Sequence, residues 1–448
     1  MTADTRTPHR PSGTVVRVSG PLVEVEGLVG VAMSEMVELG PLRLPGELVA
    51  LADGVATIQA YDYSGGLAPG HVARPLGEPL SAWLGPGLLG GMFDGLLRPL
   101  LGAGTWLRPG AAPVTDARTW AFEPQAAVGD HLGPGDTVGV VRPDGPLELR
   151  VLVPPRGGGR VDQIVGPGRH PADATLAVVG GVAVQMGQHW PVRQPRPHRG
   201  RTESGDPLVT GQRVLDLLYP IALGSTAAVP GGFGTGKTVL LQQVAKWCTA
   251  DVIVYVGCGE RGNEMADVVA ELASLVDPRT GGRLAERTVV IANTSNMPMM
   301  AREASVYTGM TVAEYFRDMG LHAVVIADST SRWAEALREF ASRSGALPAE
   351  EGYPASLGSA LAAFYERAGR VETLGGTLGS VTVIGAVSPP GGDVTEPVSA
   401  NTERFVRSLW SLDRDLAYAR HYPAVSWGTS FSRDAARVGA WHAANGDP

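Results

Sequence analysis

The chain has 448 residues, 44% of them hydrophobic and 18% charged, with a formal net charge of -8. That length is too great for one compact core and implies two or three domains, and the composition excludes a disordered chain. The negative balance offers no general basic surface for a nucleic-acid backbone, so nucleic acid is not an expected partner.

The N-terminal residues, Met1 to Gly13, are polar and lack the apolar core of a signal peptide. Alternating apolar and polar residues at Thr14–Val18 and Leu22–Glu26 flank a Gly20-Pro21 turn, and Leu48–Leu51 and Val55–Tyr61 flank Asp53-Gly54. Short strands at this spacing predict a small β-barrel over residues 1–76. The charge-free stretch Pro79–Phe93 is too short for a membrane span and holds Pro and several Gly, so no transmembrane segment is expected. Residues 77–111 are assigned as the start of the domain that resumes at 194. An inserted β-rich lobe is expected over 112–193, with strands at Thr137–Val141, Glu148–Val153 and Thr175–Val184 between Gly/Pro clusters such as Pro154–Arg160.

After Arg201 the period changes. Apolar runs at Thr226–Val229, Val252–Val256, Thr288–Ala292, Ala323–Ala327 and Val381–Val387 alternate with helical patterns. Those patterns fall at Val239–Cys248, Glu264–Leu275, Arg302–Asp318, Trp333–Arg343 and Leu357–Arg367. Continuous apolar strands alternating with helices predict a mainly parallel sheet covered on both faces, an α/β core over 194–431 with a short remnant at 432–448. Ligands of such sheets bind at the carboxyl ends of the strands.

Directly after the first of these strands stands Gly231-Gly232-Phe233-Gly234-Thr235-Gly236-Lys237-Thr238, a complete G-x-x-x-x-G-K-[ST] loop. Glycines let successive N–H groups face phosphate oxygens, and the following helix presents its positive end to the same anion. Lys237 is placed to reach the phosphates and Thr238 to offer its hydroxyl to Mg²⁺. Only two of the 37 basic residues are lysines, Lys237 and Lys246, and the first stands where a compact ammonium suits better than a planar guanidinium.

The second strand leads into Gly259-Glu260-Arg261-Gly262-Asn263-Glu264. A carboxylate there can orient an attacking water, and an adjacent arginine can neutralise charge growing on the phosphate; the plainer alternative is an acidic helix start. The fourth strand ends in Asp328, either an anchor of the Mg²⁺ shell or a helix cap. Arg332 either reaches the phosphates or sits in a salt bridge. Ser388–Asp393 is taken as a structural turn. Cys248 and Cys258 have neither the number nor the spacing of a disulfide scaffold or a zinc site, which favours a reducing cytoplasm.

Several segments closely resemble the catalytic A subunits of V/A-type, proton-translocating ATPases. They are Pro230–Thr238, Tyr255–Met265, Ile291–Pro298, Ala327–Glu339, Glu350–Pro354 and Val387–Asp393, and the likeness extends back through His189–Arg193 and Leu84–Leu88. It covers nearly the whole chain. The resemblance implies a RecA-like phosphate-loop core and an inserted lobe of the kind that marks catalytic A subunits. It further implies ATP or ADP with Mg²⁺, and an alternating hexamer with a B-type subunit whose arginine completes each site. A central stalk and membrane sector would couple turnover to proton flow, with this chain peripheral on the cytoplasmic face of the cell membrane. By position, Gly231 to Thr238 bind the nucleotide, with Phe233 matching the family's aromatic. Lys237 and Thr238 contact phosphate and Mg²⁺, Glu260 activates water, Arg261 and Arg332 line the terminal phosphate, and Asp328 holds the metal shell. The sequence departs from the pattern at Leu409, where the family usually has an aromatic. It also ends at Pro448, where family members continue into a helical domain that touches the stalk; a fragment, a divergent paralogue or half of a split gene would each account for this. Two other functions remain open at this point: a nucleotide-binding subunit that assembles without turnover, and a related hexameric ATPase motor.

Overall fold

The computed structural model describes residues 11–101, 107, 110, 118–143, 145 and 147–446. The first ten residues of the N-terminal segment and the expected boundary at 111/112 lie outside them.

Six strands, Gly13–Ser19, Leu22–Glu26, Glu35–Leu39, Leu44–Ala52, Val55–Ala60 and Val72–Pro79, close into a barrel. Inward positions such as Val23, Val25, Val37, Leu39, Ile58 and Ala73 are fully buried and fill its core. The strand at Glu35–Leu39 and the one ending at Pro79 had no clear sequence signal. The first is short and the second carries two prolines and a glycine.

The β-rich lobe consists of two four-stranded sheets packed around Trp120, Phe122, Val138, Val151 and Val161. The run Thr175–Val184, read as one strand, is a hairpin of Ala177–Val179 and Val182–Val184. Gly180 and Gly181, at φ 55° and 79°, supply the left-handed turn that a tight hairpin requires.

The third unit is the expected parallel sheet. Its central strands lie side by side in the order Thr226–Pro230, Leu378–Val387, His322–Asp328, Val252–Cys258 and Thr288–Asn293, all parallel. Successive residues of each strand alternate between two cores. Ile253, Tyr255, Ile326 and Ala386 meet Leu240, Leu241 and Val244 of the helix Lys237–Trp247 on one face. Val254, Val256, Val325 and Val383 meet Val306, Met310 and Phe316 of the helix Met299–Asp318 on the other. Each such aliphatic side chain contributes roughly 1.5–3 kcal/mol when fully buried, which is why strands covered on both sides read as unbroken apolar runs.

Ion pairs fasten the units together. Arg367 donates to both oxygens of Glu314, at 3.0 and 2.6 Å, and to the carbonyl of Val192 at 2.7 Å. Arg193 bridges Glu303 of the long helix and Glu47 of the barrel, at 2.8 and 3.1 Å. Among the described residues, no helix is long and apolar enough to cross a membrane.

Candidate functional site

The site is built where three strand tips meet. The strand Thr226–Pro230 enters the loop Gly231–Thr238, in which Gly234 and Gly236 take φ 77° and 87°. Those left-handed angles suit glycine alone without strain, and they curl the loop before the helix begins at Lys237. Gly236 is the N-cap and no side chain caps the helix, so its first N–H groups are available to an anion. Thr235 Oγ1 donates to the Gly232 carbonyl at 2.9 Å. The Lys237 ammonium donates to the carbonyls of Gly231 and Gly232, at 2.5 and 3.0 Å, so its charge is held at the loop's mouth. Burial lowers its pKa, against the raising influence of Asp328 and Glu260. Phe233 is 94% exposed at the loop's tip.

Asp328 ends its strand only 4% exposed. Its Oδ2 accepts hydrogen bonds from Thr238 Oγ1 and from the Tyr255 hydroxyl, both at 3.0 Å. The carboxylate therefore turns toward the phosphate loop. Ser329 occupies the N-cap of the helix Thr330–Arg343 and caps it with no side-chain bond. Burial pushes the Asp328 pKa up, while Thr238, Tyr255 and the Lys237 charge hold it down. A buried carboxylate and a hydroxyl on one side of the loop form a hard-oxygen pair that fits Mg²⁺, an ion that takes one or two protein oxygens and completes its shell with phosphate and water. Among the described residues, no group of three or more His, Cys, Asp or Glu could hold a metal.

The adjacent strand Val252–Cys258 pairs Gly257 with Asp328, which brings Glu260 to the same edge. The Glu260 backbone is fixed by Ser295 N–H donating to its carbonyl at 2.9 Å, and Gly259 N–H donates to the Asn293 carbonyl at 2.7 Å. Its half-buried carboxyl is pushed up to about 7, by desolvation first and then by the negative charges of Asp328 and Glu264, against the opposing pull of Arg332. Arg332 Nη1 contacts both oxygens of Glu335, at 3.1 and 3.0 Å, so the salt bridge is the arrangement present. Its stem nonetheless passes the site: a Cβ built on Gly259 would lie 2.8 Å from Arg332 Cβ. Arg261 precedes the helix Gly262–Ser274 as its N-cap residue and is exposed.

The Ser388–Asp393 turn follows the strand that lies between the loop's strand and that of Asp328, and a Cβ built on Gly232 would be 3.9 Å from Gly392 Cα. Ser388 N–H donates to Ser331 Oγ at 2.8 Å, and both Asp393 contacts stay local, to Thr395. Thus the tips bring Lys237, Thr238, Asp328 and Glu260 together, with Arg332 beside Glu260 and engaged elsewhere. Three participants were not singled out from the sequence. Tyr255 sits inside an apolar strand and Glu264 in the first turn of the helix that follows Glu260, and only the second has a local signal, its closeness in sequence to Glu260. The third, Tyr422, is 59% exposed and lies beside the loop; a Cβ on Gly236 would be 3.4 Å from its ring.

Comparison with known proteins agrees with this arrangement. Residues 211–432 match the nucleotide-binding domain of the ATP synthase alpha/beta family, residues 15–77 its beta-barrel domain, and 111–193 the barrel-sandwich domain of alpha/beta subunits. The chain is 54% identical over 436 residues to a V-type ATP synthase alpha chain of Anaeromyxobacter sp. (strain K), covering 96% of this chain and 75% of that one. It is 49% identical over 445 residues to the A subunit of the A-type ATP synthase from Staphylothermus marinus, covering 98% and 75%. Against the corresponding A-type ATP synthase chain of Thermococcus sibiricus the identity is 50% over 449 residues, covering 97% and 77%. With the barrel, the lobe, the phosphate-loop sheet and these relatives in agreement, the chain belongs to the ATP synthase alpha/beta family.

Proposed function

We propose that this chain is the catalytic A subunit of a rotary V/A-type ATPase, hydrolysing or synthesising ATP coupled to proton transport across a membrane. The observation that carries this reading is the convergence of Lys237, Thr238, Asp328 and Glu260 at neighbouring strand tips, with Thr238 and Asp328 in direct hydrogen-bond contact.

The phosphate tail of ATP would lie along the N–H groups of the loop Gly231–Thr238, and Lys237 would leave its carbonyl partners to meet the β- and γ-phosphates. Thr238 and Asp328 would hold Mg²⁺, which supplies charge neutralisation between the phosphates. Glu260 orients a water in line with the terminal phosphorus and takes its proton as the new P–O bond forms. The bond between phosphorus and the β,γ-bridging oxygen breaks, and ADP leaves with that electron pair. Arg261, and Arg332 once released from Glu335, would offset charge on the transferring group. Tyr422 offers an exposed ring beside the loop for the base.

The proposed division is a barrel at 1–76, the start of the nucleotide domain at 77–111, an inserted lobe at 112–193, the ATPase core at 194–431 and a short C-terminal piece at 432–448. The partners are a B-type subunit in an alternating hexamer, a central stalk and a membrane sector, with the chain peripheral on the cytoplasmic face of the cell membrane. The deciding experiment compares wild type with Glu260→Gln and Lys237→Ala, each assembled with a B-type partner. Glu260→Gln should bind Mg·ATP at near-normal affinity and lose hydrolysis, whereas Lys237→Ala should lose binding. Equal turnover by wild type and Glu260→Gln would overturn the catalytic assignment.

A further inference from the structure

The loop that carries Glu260 is clasped by the turn between the strand Thr288–Asn293 and the helix Met299–Asp318. Gly259 N–H donates to the Asn293 carbonyl at 2.7 Å, and Ser295 N–H donates to the Glu260 carbonyl at 2.9 Å. Ser295 is itself held at its other end. Arg302, in the first turn of that helix, donates through Nη2 to the Ser295 carbonyl at 2.9 Å.

The stem of the same arginine packs on the loop. Gly259 takes φ 73°, and a Cβ built on it would stand 2.8 Å from Arg332 Cβ and 3.1 Å from Arg302 Cδ. The backbone leading into Glu260 therefore lies against two arginine stems, one from the helix Thr330–Arg343 and one from the helix Met299–Asp318. Arg302 thus meets this loop twice, by its stem at Gly259 and by its head through Ser295.

The charge of Arg302 answers to no carboxylate. Glu335 and Glu339 line the same open groove, but they are paired with Arg332 at 3.0 Å and with Arg343 at 2.6 Å. Among the described residues Arg302 makes no ion pair, and its Nε is buried without a partner. Buried donors left in this way are uncommon in native structures and call for a reason. A side chain that reaches one backbone carbonyl while another of its donors goes unmet is placed for that carbonyl.

We propose that Arg302 is a positioning residue for Glu260. Through Ser295 it fixes the Glu260 carbonyl, and with it the direction from which the carboxylate meets the attacking water. The inference rests on the catalytic role of Glu260 given above. The guanidinium binds backbone, so it acts on the geometry of turnover and not on the capture of nucleotide. A misplacement of about 1 Å in such a group lowers a rate by up to about a hundredfold.

The test assembles each variant with a B-type partner and measures kcat and KM for ATP hydrolysis and the affinity for Mg·ADP, with thermal unfolding to verify the fold. Arg302→Met keeps an unbranched stem against Gly259 and removes the donors. It should lower kcat by about ten- to hundredfold, with KM and Mg·ADP affinity within about twofold of wild type. Arg302→Lys keeps a charged donor for the single carbonyl, and should restore kcat to within about threefold of wild type. If Arg302→Met does not assemble, Arg302→Gln, whose shorter side chain draws the donor back from Ser295, is read in its place. Wild-type kcat in the variant without the donor, an equal loss in Arg302→Lys, or a raised KM at unchanged kcat would each overturn the proposal. Glu260→Gln measured alongside separates the two readings. Full turnover by Glu260→Gln removes the catalytic role itself, whereas its loss beside an unimpaired Arg302→Met removes the positioning role alone.

Discussion

Replacing Tyr255 by Phe isolates one hydrogen bond at the centre of the site. Tyr255 is 1% exposed and its ring is packed between strand and helix, so Phe fills the same space and removes only the hydroxyl. That hydroxyl is one of two donors on Asp328 Oδ2, both at 3.0 Å, for a carboxylate that is 4% exposed. A hydrogen bond to a buried charge contributes about 1.5–3 kcal/mol, and near neutral pH the ligand-free variant should lose roughly that much stability. In a chain of this size it should melt a few degrees lower. The sign with pH follows from the direction of the Asp328 shift. Burial raises its folded pKa above the ordinary carboxylate value, so the folded state disfavours the ion. Stability on this account is greatest in acid and falls as pH climbs from the unfolded toward the folded pKa. Tyr255→Phe removes an influence that holds the pKa down, and therefore deepens the loss on the alkaline side only. The assay is thermal unfolding of wild type and variant near neutral pH and in mild acid, with and without Mg·ADP. The gap should be widest near neutrality without ligand. A difference below about 0.5 kcal/mol near neutrality, or one equal in acid, would refute the view that this hydroxyl serves a buried charge.

Other outcomes follow from the same geometry. Because Glu260 is held at about 7 in the free chain, kcat/KM for hydrolysis by the assembled complex should rise with pH through that region as the base deprotonates. Glu264→Gln removes one of the charges that raise it, and should move the midpoint of the pH profile toward acid; an unmoved midpoint would count against the pairing. Tyr422→Ala should raise the KM for ATP about two- to tenfold, as loss of an aromatic contact of about 0.5–1.5 kcal/mol implies, with kcat little changed. Arg367→Ala takes the closer of two arginines from the buried Glu314, leaving Arg317 at 3.9 Å and the Arg196 N–H at 2.9 Å, and should destabilise the chain by up to about 3–5 kcal/mol in thermal or denaturant unfolding. A loss under about 1 kcal/mol would show that Arg317 and the Arg196 N–H suffice to hold this carboxylate.

The sequence by itself determined the architecture of the core. A parallel strand buried on both faces must be apolar at every position, so Val252–Val256 and Ala323–Ala327 announced themselves, and the helices between them followed from their period. The phosphate loop was equally legible, because its glycines and lysine answer to local backbone geometry. Barrel strands such as Glu35–Leu39 and Val72–Pro79 were not, since their pairing with distant partners, not their own pattern, makes them strands. Nor does any local signal join Tyr255 to Asp328 across 73 residues, or fix Arg332 on Glu335 in preference to a phosphate. Gln59 looks like an ordinary polar strand residue, and only the folded chain shows it fully buried with neither amide atom partnered. Local sequence sets which segments are strands, helices and loops, through burial and dihedral preference. Which carboxyl is desolvated, which hydroxyl reaches it and which amide is left without a partner depend on how separate segments pack. Only the tertiary structure decides that.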